Sequence, residues 1–351
     1  MNQRINPLVW NDGVLRLVDQ RYLPHTINYI DSKNLEDAHM AIKDMVVRGA
    51  PLIGFSALYG MALWLKGQTS LTSDSITQAR KYLESARPTA VNLAYEASRA
   101  QKLIEASLSE GMKVADIYDR LVNFANQEMI KLGNDNLEMA KTAAKHLAEL
   151  YGDRPLRLMT LCNTGFLACG PMGTALGVIS HLNQLKRVEK VFAFETRPYL
   201  QGSRLTAFEL CQENVPHQIV VEGAMSYLMR TQKIDAIFIG ADRIVANGDT
   251  ANKVGSSSLA IVASHYKVPF FVVAPVSSFD TSLESGDQIE VEMRDPKEIL
   301  CLKEQRIAPN ESDAFNPSFD ITSAAHIEGI ICENGLISPV TKSKLLSVVN
   351  L

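Results

Sequence analysis

From residue 156 onward the chain alternates short apolar runs with amphipathic stretches, and this rhythm limits how it can fold more than any other feature. The runs lie at 156–161, 191–194, 218–221, 236–239, 268–274 and 329–332. They are short and mostly rich in β-branched and aromatic residues, so each predicts a buried strand. Helical spacing follows several of them, at 174–185, 203–212, 224–231 and 256–265. Strands separated by helices pair in parallel, with helices covering both faces of the sheet. Ligands of such sheets bind beyond the carboxyl ends of the strands. Those ends fall at Cys162-Asn163, Glu195-Thr196-Arg197, Glu222-Gly223, Gly240-Ala241-Asp242 and Pro275-Val276.

The first part of the chain reads differently. Helical apolar spacing runs through 35–45, 53–64, 75–85, 90–108, 114–132 and 136–150, after a short strand at 14–19. Gly49-Ala50-Pro51, Gly67, Arg87-Pro88, Gly111 and Gly133 punctuate the helices. A length of 351 residues exceeds what one hydrophobic core supports, so two domains are expected. The texture changes at Tyr151-Gly152-Asp153-Arg154-Pro155. The expected organisation is a mainly helical domain at 1–150 and an α/β domain with a mainly parallel sheet at 151–351.

Charge and cysteine usage exclude several classes. The net charge of −4 draws the chain neither to nucleic acid nor to an anionic membrane. The five cysteines show no CxxC spacing, so neither a disulfide framework nor a structural zinc site is expected. A reducing compartment fits them. The start, MNQRINPLVWND, has no apolar leader core, and the most apolar stretch, 268–276, is far too short to span a bilayer. The expectation is a cytoplasmic protein.

Four constellations carry chemistry. In the first, 160–165 (TLCNTG) leads through a Gly-rich turn into 173–177 (GTALG). Such glycines let backbone approach a ligand, and the helix start favours an anion. The spacing is neither a dinucleotide fingerprint nor a P-loop with its Lys. Cys162 at the strand end is either a small buried hydrophobe or a catalytic group. In the second, Asp242 follows an apolar strand. It is an acid/base candidate by partial desolvation, or else a helix cap or a partner of Arg243. Asn252 and Lys253 follow, and Lys253 is a candidate phosphate ligand. In the third, Arg48 stands beside the amides of Gly49 and Ala50, a possible anion cradle or simply a loop. Arg87-Pro88-Thr89 repeats the idea of a cation at a helix junction. The fourth, 195–204 (ETRPYLQGSR), crowds polar groups at one strand end.

Taken together, VVRGAPLIG (46–54), ARPTAVNLA (86–94), TLCNTGFLA (160–168), GTALGVI (173–179), ETRPYLQGSRLTAFEL (195–210), IGADRIVANGDTANKVG (239–255) and FNPSFDIT (315–322) resemble the signatures of the methylthioribose-1-phosphate isomerases. That family is homologous to the regulatory subunits of translation initiation factor 2B. The resemblance implies a helical N-terminal domain, a Rossmann-like C-terminal domain and a homodimer. It implies an aldose–ketose isomerase acting on a sugar phosphate, with no metal or other cofactor. The family's catalytic pair maps to Cys162 and Asp242. Its substrate contacts map to Arg48, Gly49, Ala50, Arg87, Gln201, Asn252 and Lys253.

Three places depart from the family pattern: Met172 replaces an aromatic residue, Glu222-Gly223 stands where Asp-Asn or Asp-Ser is usual, and 289–294 reads IEVEMR. These bear on the sugar rather than on the chemistry. A sister group acts on 5-deoxyribose 1-phosphate, and ribose 1,5-bisphosphate would need a second phosphate site. The regulatory subunits generally lack the Cys and Asp pair, which this chain keeps.

Overall fold

The computed structural model describes residues 4–88, 90–302 and 305–349; Thr89 of the 86–94 segment lies outside the described residues. The chain divides into two compact units, Met1–Asn134 with Gly165–Gly173, and Asp135–Thr164 with Thr174–Leu351.

The first unit opens with a three-stranded antiparallel sheet, β1 (Leu8–Asn11), β2 (Val14–Val18) and β3 (Tyr29–Ser32). Asp12 and Gly13, both with positive φ, make the two-residue turn between β1 and β2. Four helices follow: α1 (Leu35–Lys43), α2 (Ala50–Lys66), α3 (Ser73–Glu84) and α4 (Val91–Ser109). Their starts are legible in the sequence. Asn34 caps α1 by accepting the Asp37 amide, and Thr72 and Ser75 form a reciprocal capping box on α3. Helix α2 is buried along most of its length and centres the unit's core with Leu58, Met61 and Ala62.

Helix α5 (Val114–Tyr151) is continuous for 38 residues. The expected break at Gly133 is absent. A glycine inside a helix costs about 1 kcal/mol against alanine, which the neighbouring good helix formers offset. Here the glycine serves packing, since a Cβ on it would lie 3.1 Å from Pro171. The division between units runs through this helix at 134/135, where the sequence places its boundary near 150.

The second unit is built on a seven-stranded sheet. Its strands are β4 (Leu156–Thr160), β5 (Val188–Phe194), β6 (His217–Val220), β7 (Ala236–Ile239), β10 (Phe270–Val273), β15 (Gly329–Cys332) and β16 (Gly335–Ile337). Their spatial order is β16-β15-β10-β7-β4-β5-β6, all parallel except the last hairpin β15–β16. The six parallel strands therefore follow the Rossmann order, and the chain reverses direction across the sheet between β4 and β7. Such a switch point leaves a crevice at the carboxyl ends of the two strands.

Helices α7 (Ala175–Gln184), α8 (Ala207–Gln212), α9 (Met225–Thr231) and α10 (Ser256–Tyr266) accompany the parallel strands, with α6 (Phe166–Cys169) in the segment that belongs to the first unit. A π-helical turn, Gly202–Thr206, precedes α8 where the sequence predicts one regular helix over 203–212. A second sheet is not anticipated from the sequence: β8 (Arg243–Val245), β9 (Thr250–Lys253), β11 (Phe279–Asp280) and β14 (Phe319–Thr322) pair in the order β11-β8-β9-β14. Short pieces, α11 (Lys297–Leu300) and the β12–β13 ladder (Cys301–Leu302 with Gln305–Arg306), precede the closing helix α12 (Lys342–Val349). Apolar layers cover both faces of the main sheet, one holding Phe238 and Phe271, the other Phe194, Ile237 and Phe270. Among the described residues no helix is long and apolar enough to cross a membrane.

Candidate functional site

The site of the second unit lies at the switch point. Cys162 stands two residues beyond β4 and Asp242 three beyond β7, and these strands are adjacent, with Thr160 opposite Phe238. Asp242 does not cap a helix. It opens the β8–β9 hairpin, its amide donating to Ala251 O at 2.9 Å, while Arg243 faces Asp280 at 3.3 Å. The hairpin thus carries Asn252 and Lys253 back beside Asp242.

Cys162 is buried and its backbone is left-handed, φ +66°, a conformation that costs a non-glycine residue free energy. Thr196, beyond β5, is left-handed too, φ +65°. The two hold each other. The Cys162 amide donates to Thr196 Oγ1 at 2.9 Å, and that hydroxyl donates to Phe194 O at 2.9 Å. The Cys162 carbonyl accepts from Thr206 Oγ1 at 2.5 Å. Next to it, the Asn163 amide group donates to Glu209 Oε1 at 2.7 Å. Phe194 ends β5, Thr196 stands just beyond it, and Thr206 and Glu209 lie on the π-helical and helical turns that follow.

Gln201 is 6% exposed, and its side-chain oxygen has no hydrogen-bond partner. A buried amide oxygen without a donor is expensive, and a ligand hydroxyl would satisfy it. Asn252 donates to Ser256 Oγ at 2.8 Å at the start of α10. The Lys253 ammonium donates to Ser318 O at 2.8 Å and lies 4.8 Å from the centre of the Phe319 ring.

The surroundings hold these groups in place. Asp320, opposite Asn252 in the β9–β14 ladder, accepts the Gly255 and Ser257 amides at 2.7 and 3.0 Å; burial raises its carboxyl above the usual range. The 289–294 segment buttresses Lys253. The Ser318 amide donates to Glu292 O, and the Arg294 amide to Asn316 O, both at 2.9 Å. Burial alone would raise Glu298, yet the Arg294 guanidinium bound to it holds it below the usual carboxylate range.

In the first unit, Arg48 is buried and Gly49 caps α2 with φ +88°. Only glycine fits there, because a Cβ would come within 2.4 Å of Ala168 O as well as being strained. Ala50 begins the helix, with Pro51 in its first turn. Arg87 lines a pocket of about 250 Å³ with Glu84, Ser85, Pro88, Ala90, Leu93 and Ala94. The second unit thus gathers Cys162, Asp242, Gln201, Asn252 and Lys253 at one end of its sheet. Arg48, Gly49, Ala50 and Arg87 lie in the first. Thr196 was named from the sequence only as part of a strand end, with no role, and Thr206, Glu209 and Asp320 were not singled out, although all four stand in the motif segments 195–210 and 315–322.

A Rossmann-ordered sheet with a strained cysteine and a carboxylate flanking its switch point, and no dinucleotide fingerprint, defines a small-molecule enzyme of the α/β class. A model of the initiation factor 2 subunit family matches residues 46–339, and the chain belongs to that family. Within it, the chain is 41% identical to a methylthioribose-1-phosphate isomerase of a Thermoanaerobacter species over 99% of both chains. The crystal structure of the 5-methylthioribose 1-phosphate isomerase of Pyrococcus horikoshii superposes with a TM-score of 0.89 at 34% identity, covering 99% of this chain and 96% of that one. A translation initiation factor eIF-2B delta subunit from A. fulgidus superposes with a TM-score of 0.86 at 31% identity, covering 99% and 100%.

Proposed function

We propose that this chain converts 5-methylthioribose 1-phosphate to 5-methylthioribulose 1-phosphate in methionine salvage, with Asp242 as acid/base and Cys162 at the reacting carbons. The observation that supports it best is the placement of these two residues on adjacent strands at the switch point, with Cys162 held in a left-handed conformation. Full-length relatives named for that reaction agree with it.

The phosphate on O1 locks C1 of the sugar in its ring as an acetal, so no free aldehyde is present to enolise. Asp242 protonates the ring oxygen and the ring opens. Hydrogen then moves from C2 to C1, through an enol phosphate or as hydride, with Asp242 taking the proton from O2 or C2. Cys162 sits beside C1 or C2, relaying a proton or stabilising developing charge. Each such positioned proton transfer typically contributes about 10² to 10⁴-fold. Lys253 takes the phosphate, Asn252 another polar group of the sugar, and Gln201 Oε1 a hydroxyl. For Arg48, the Gly49 and Ala50 amides and Arg87 we propose the substrate contacts that the family resemblance implies.

The test is a coupled, cofactor-free assay of ketose formation from methylthioribose 1-phosphate and 5-deoxyribose 1-phosphate side by side. Preference for the methylthio sugar is the expected result; preference for the deoxy sugar assigns the other substrate. Cys162→Ser and Asp242→Asn should each lower turnover by at least about 10²-fold with unchanged melting temperature. Near-normal turnover in either variant removes that residue from the mechanism.

A further inference from the structure

Resting on the reading of Cys162 as a substrate contact, the geometry points to Glu222 as a positioning residue that holds Cys162 at the mouth of β4 through Thr196. The three residues stand beyond three successive strands, β4, β5 and β6. Glu222 Oε1 accepts the Thr196 amide at 2.6 Å, and Thr196 Oγ1 accepts the Cys162 amide at 2.9 Å. A short bond from an amide to a carboxylate is charge-assisted and stronger than one between neutral groups. It lands on one of two adjacent left-handed, non-glycine residues, whose backbone persists only if its surroundings over-determine it.

The carboxylate is also placed where it costs the fold. Burial raises the Glu222 carboxyl above the usual glutamate range and nearby Glu195 raises it further, against the Thr196, Arg197 and Glu222 amides, which lower it. Its methylene lies 3.9 Å from where a Gly255 Cβ would stand, and the Gly255 amide donates to the half-buried Asp320. A group whose folded pKa is raised contributes its stability below the unfolded value and loses it as pH rises. Ionised Glu222 therefore does not serve stability, and a carboxylate kept against that cost, one residue away from Cys162 in a chain of hydrogen bonds, marks a functional part. An amide in its place would keep an acceptor for Thr196 but lose the charge.

Steady-state kinetics with methylthioribose 1-phosphate across pH, on the full chain, test this with Glu222→Gln, Thr196→Val and Thr196→Ser. Small misplacements of a reacting group cost up to about a hundredfold. Glu222→Gln and Thr196→Val are expected to lose about ten- to a hundredfold in kcat with KM within about twofold. Thr196→Ser keeps the hydroxyl and should restore most of the rate. In Glu222→Gln the melting temperature should hold or rise, and the acid limb of kcat should move to lower pH. Wild-type kcat with an unchanged acid limb in Glu222→Gln overturns the inference and leaves the isomerase reading standing. Loss of melting temperature in step with kcat, unrescued by serine, makes Glu222 structural only and also overturns it. A wild-type chain inactive on the sugar removes the isomerase reading itself.

Discussion

Gly202→Ala should damage the fold and the site together, and the structure sets the size of the effect. A Cβ at Gly202 would lie 1.6 Å from the carbonyl oxygen of Phe194 and 2.7 Å from its carbon. Carbon–oxygen contacts settle at about 3.3 Å or more, so the backbone must part by roughly 1.7 Å. Neither side yields easily. Phe194 is the last residue of β5 in the sheet, and the Gly202 amide donates to Glu195 O at 3.1 Å. Overpacking costs about 1–3 kcal/mol and more where backbone is displaced, so about 3 kcal/mol is a fair lower figure. In a unit of this size that lowers the melting temperature by roughly 6–12 °C. The same movement carries away Gln201 and Thr206, the hydroxyl that binds the Cys162 carbonyl. A shift above 1 Å at a positioning group costs about 10²-fold or more in turnover. Calorimetry and the ketose assay read the two losses. Gly223→Ala is the control, since its Cβ meets nothing nearer than Val221 at 3.9 Å, and it should melt within about 0.5 kcal/mol of wild type. Wild-type melting and turnover in Gly202→Ala would refute the close approach and the link from β5 to Cys162.

Asp320→Ala should strand two amides at the start of α10 and cost about 2–6 kcal/mol, measured by denaturant unfolding. Burial raises the Asp320 carboxyl, so the advantage of wild type over Asp320→Asn should shrink as pH rises from the usual aspartate range through that raised value; a widening gap contradicts the assignment. Cys332 is buried with its thiol pushed up to about 11, while Cys211 is exposed, so iodoacetamide followed by mass spectrometry should label Cys211 first and Cys332 last.

Much of this was legible along the chain. Short continuous apolar runs and the period-3.6 pattern mark the parallel strands and their helices, because a strand covered on both faces is apolar throughout while a helix buries one face. The strand ends follow, and with them Cys162 and Asp242. Local caps such as Asn34 and Thr72 are equally readable, since both partners lie within one turn. Gly133 misleads because a glycine's local cost says nothing of the Pro171 ring that packs against it, far away in sequence. The β8–β9 hairpin and its pairing with β14 escape for a similar reason: β8 (RIV) and β9 (TANK) carry no apolar run, and Asn252 meets Asp320 only through tertiary pairing.

The sequence alone thus determined the secondary-structure rhythm, a mainly parallel sheet and the candidate groups at its strand ends, because these depend on side-chain types and spacings within a few residues, while the Rossmann-like domain was implied by the family resemblance. Only the tertiary structure decided that Cys162 and Thr196 share a strained left-handed backbone, that Glu222 reaches them from a third strand, and that Asp320 and the 289–294 segment brace Asn252 and Lys253. Each of those facts rests on hydrogen bonds between residues far apart in the sequence. No local pattern encodes such a bond, because its energy exists only once the sheet has brought the strand ends side by side.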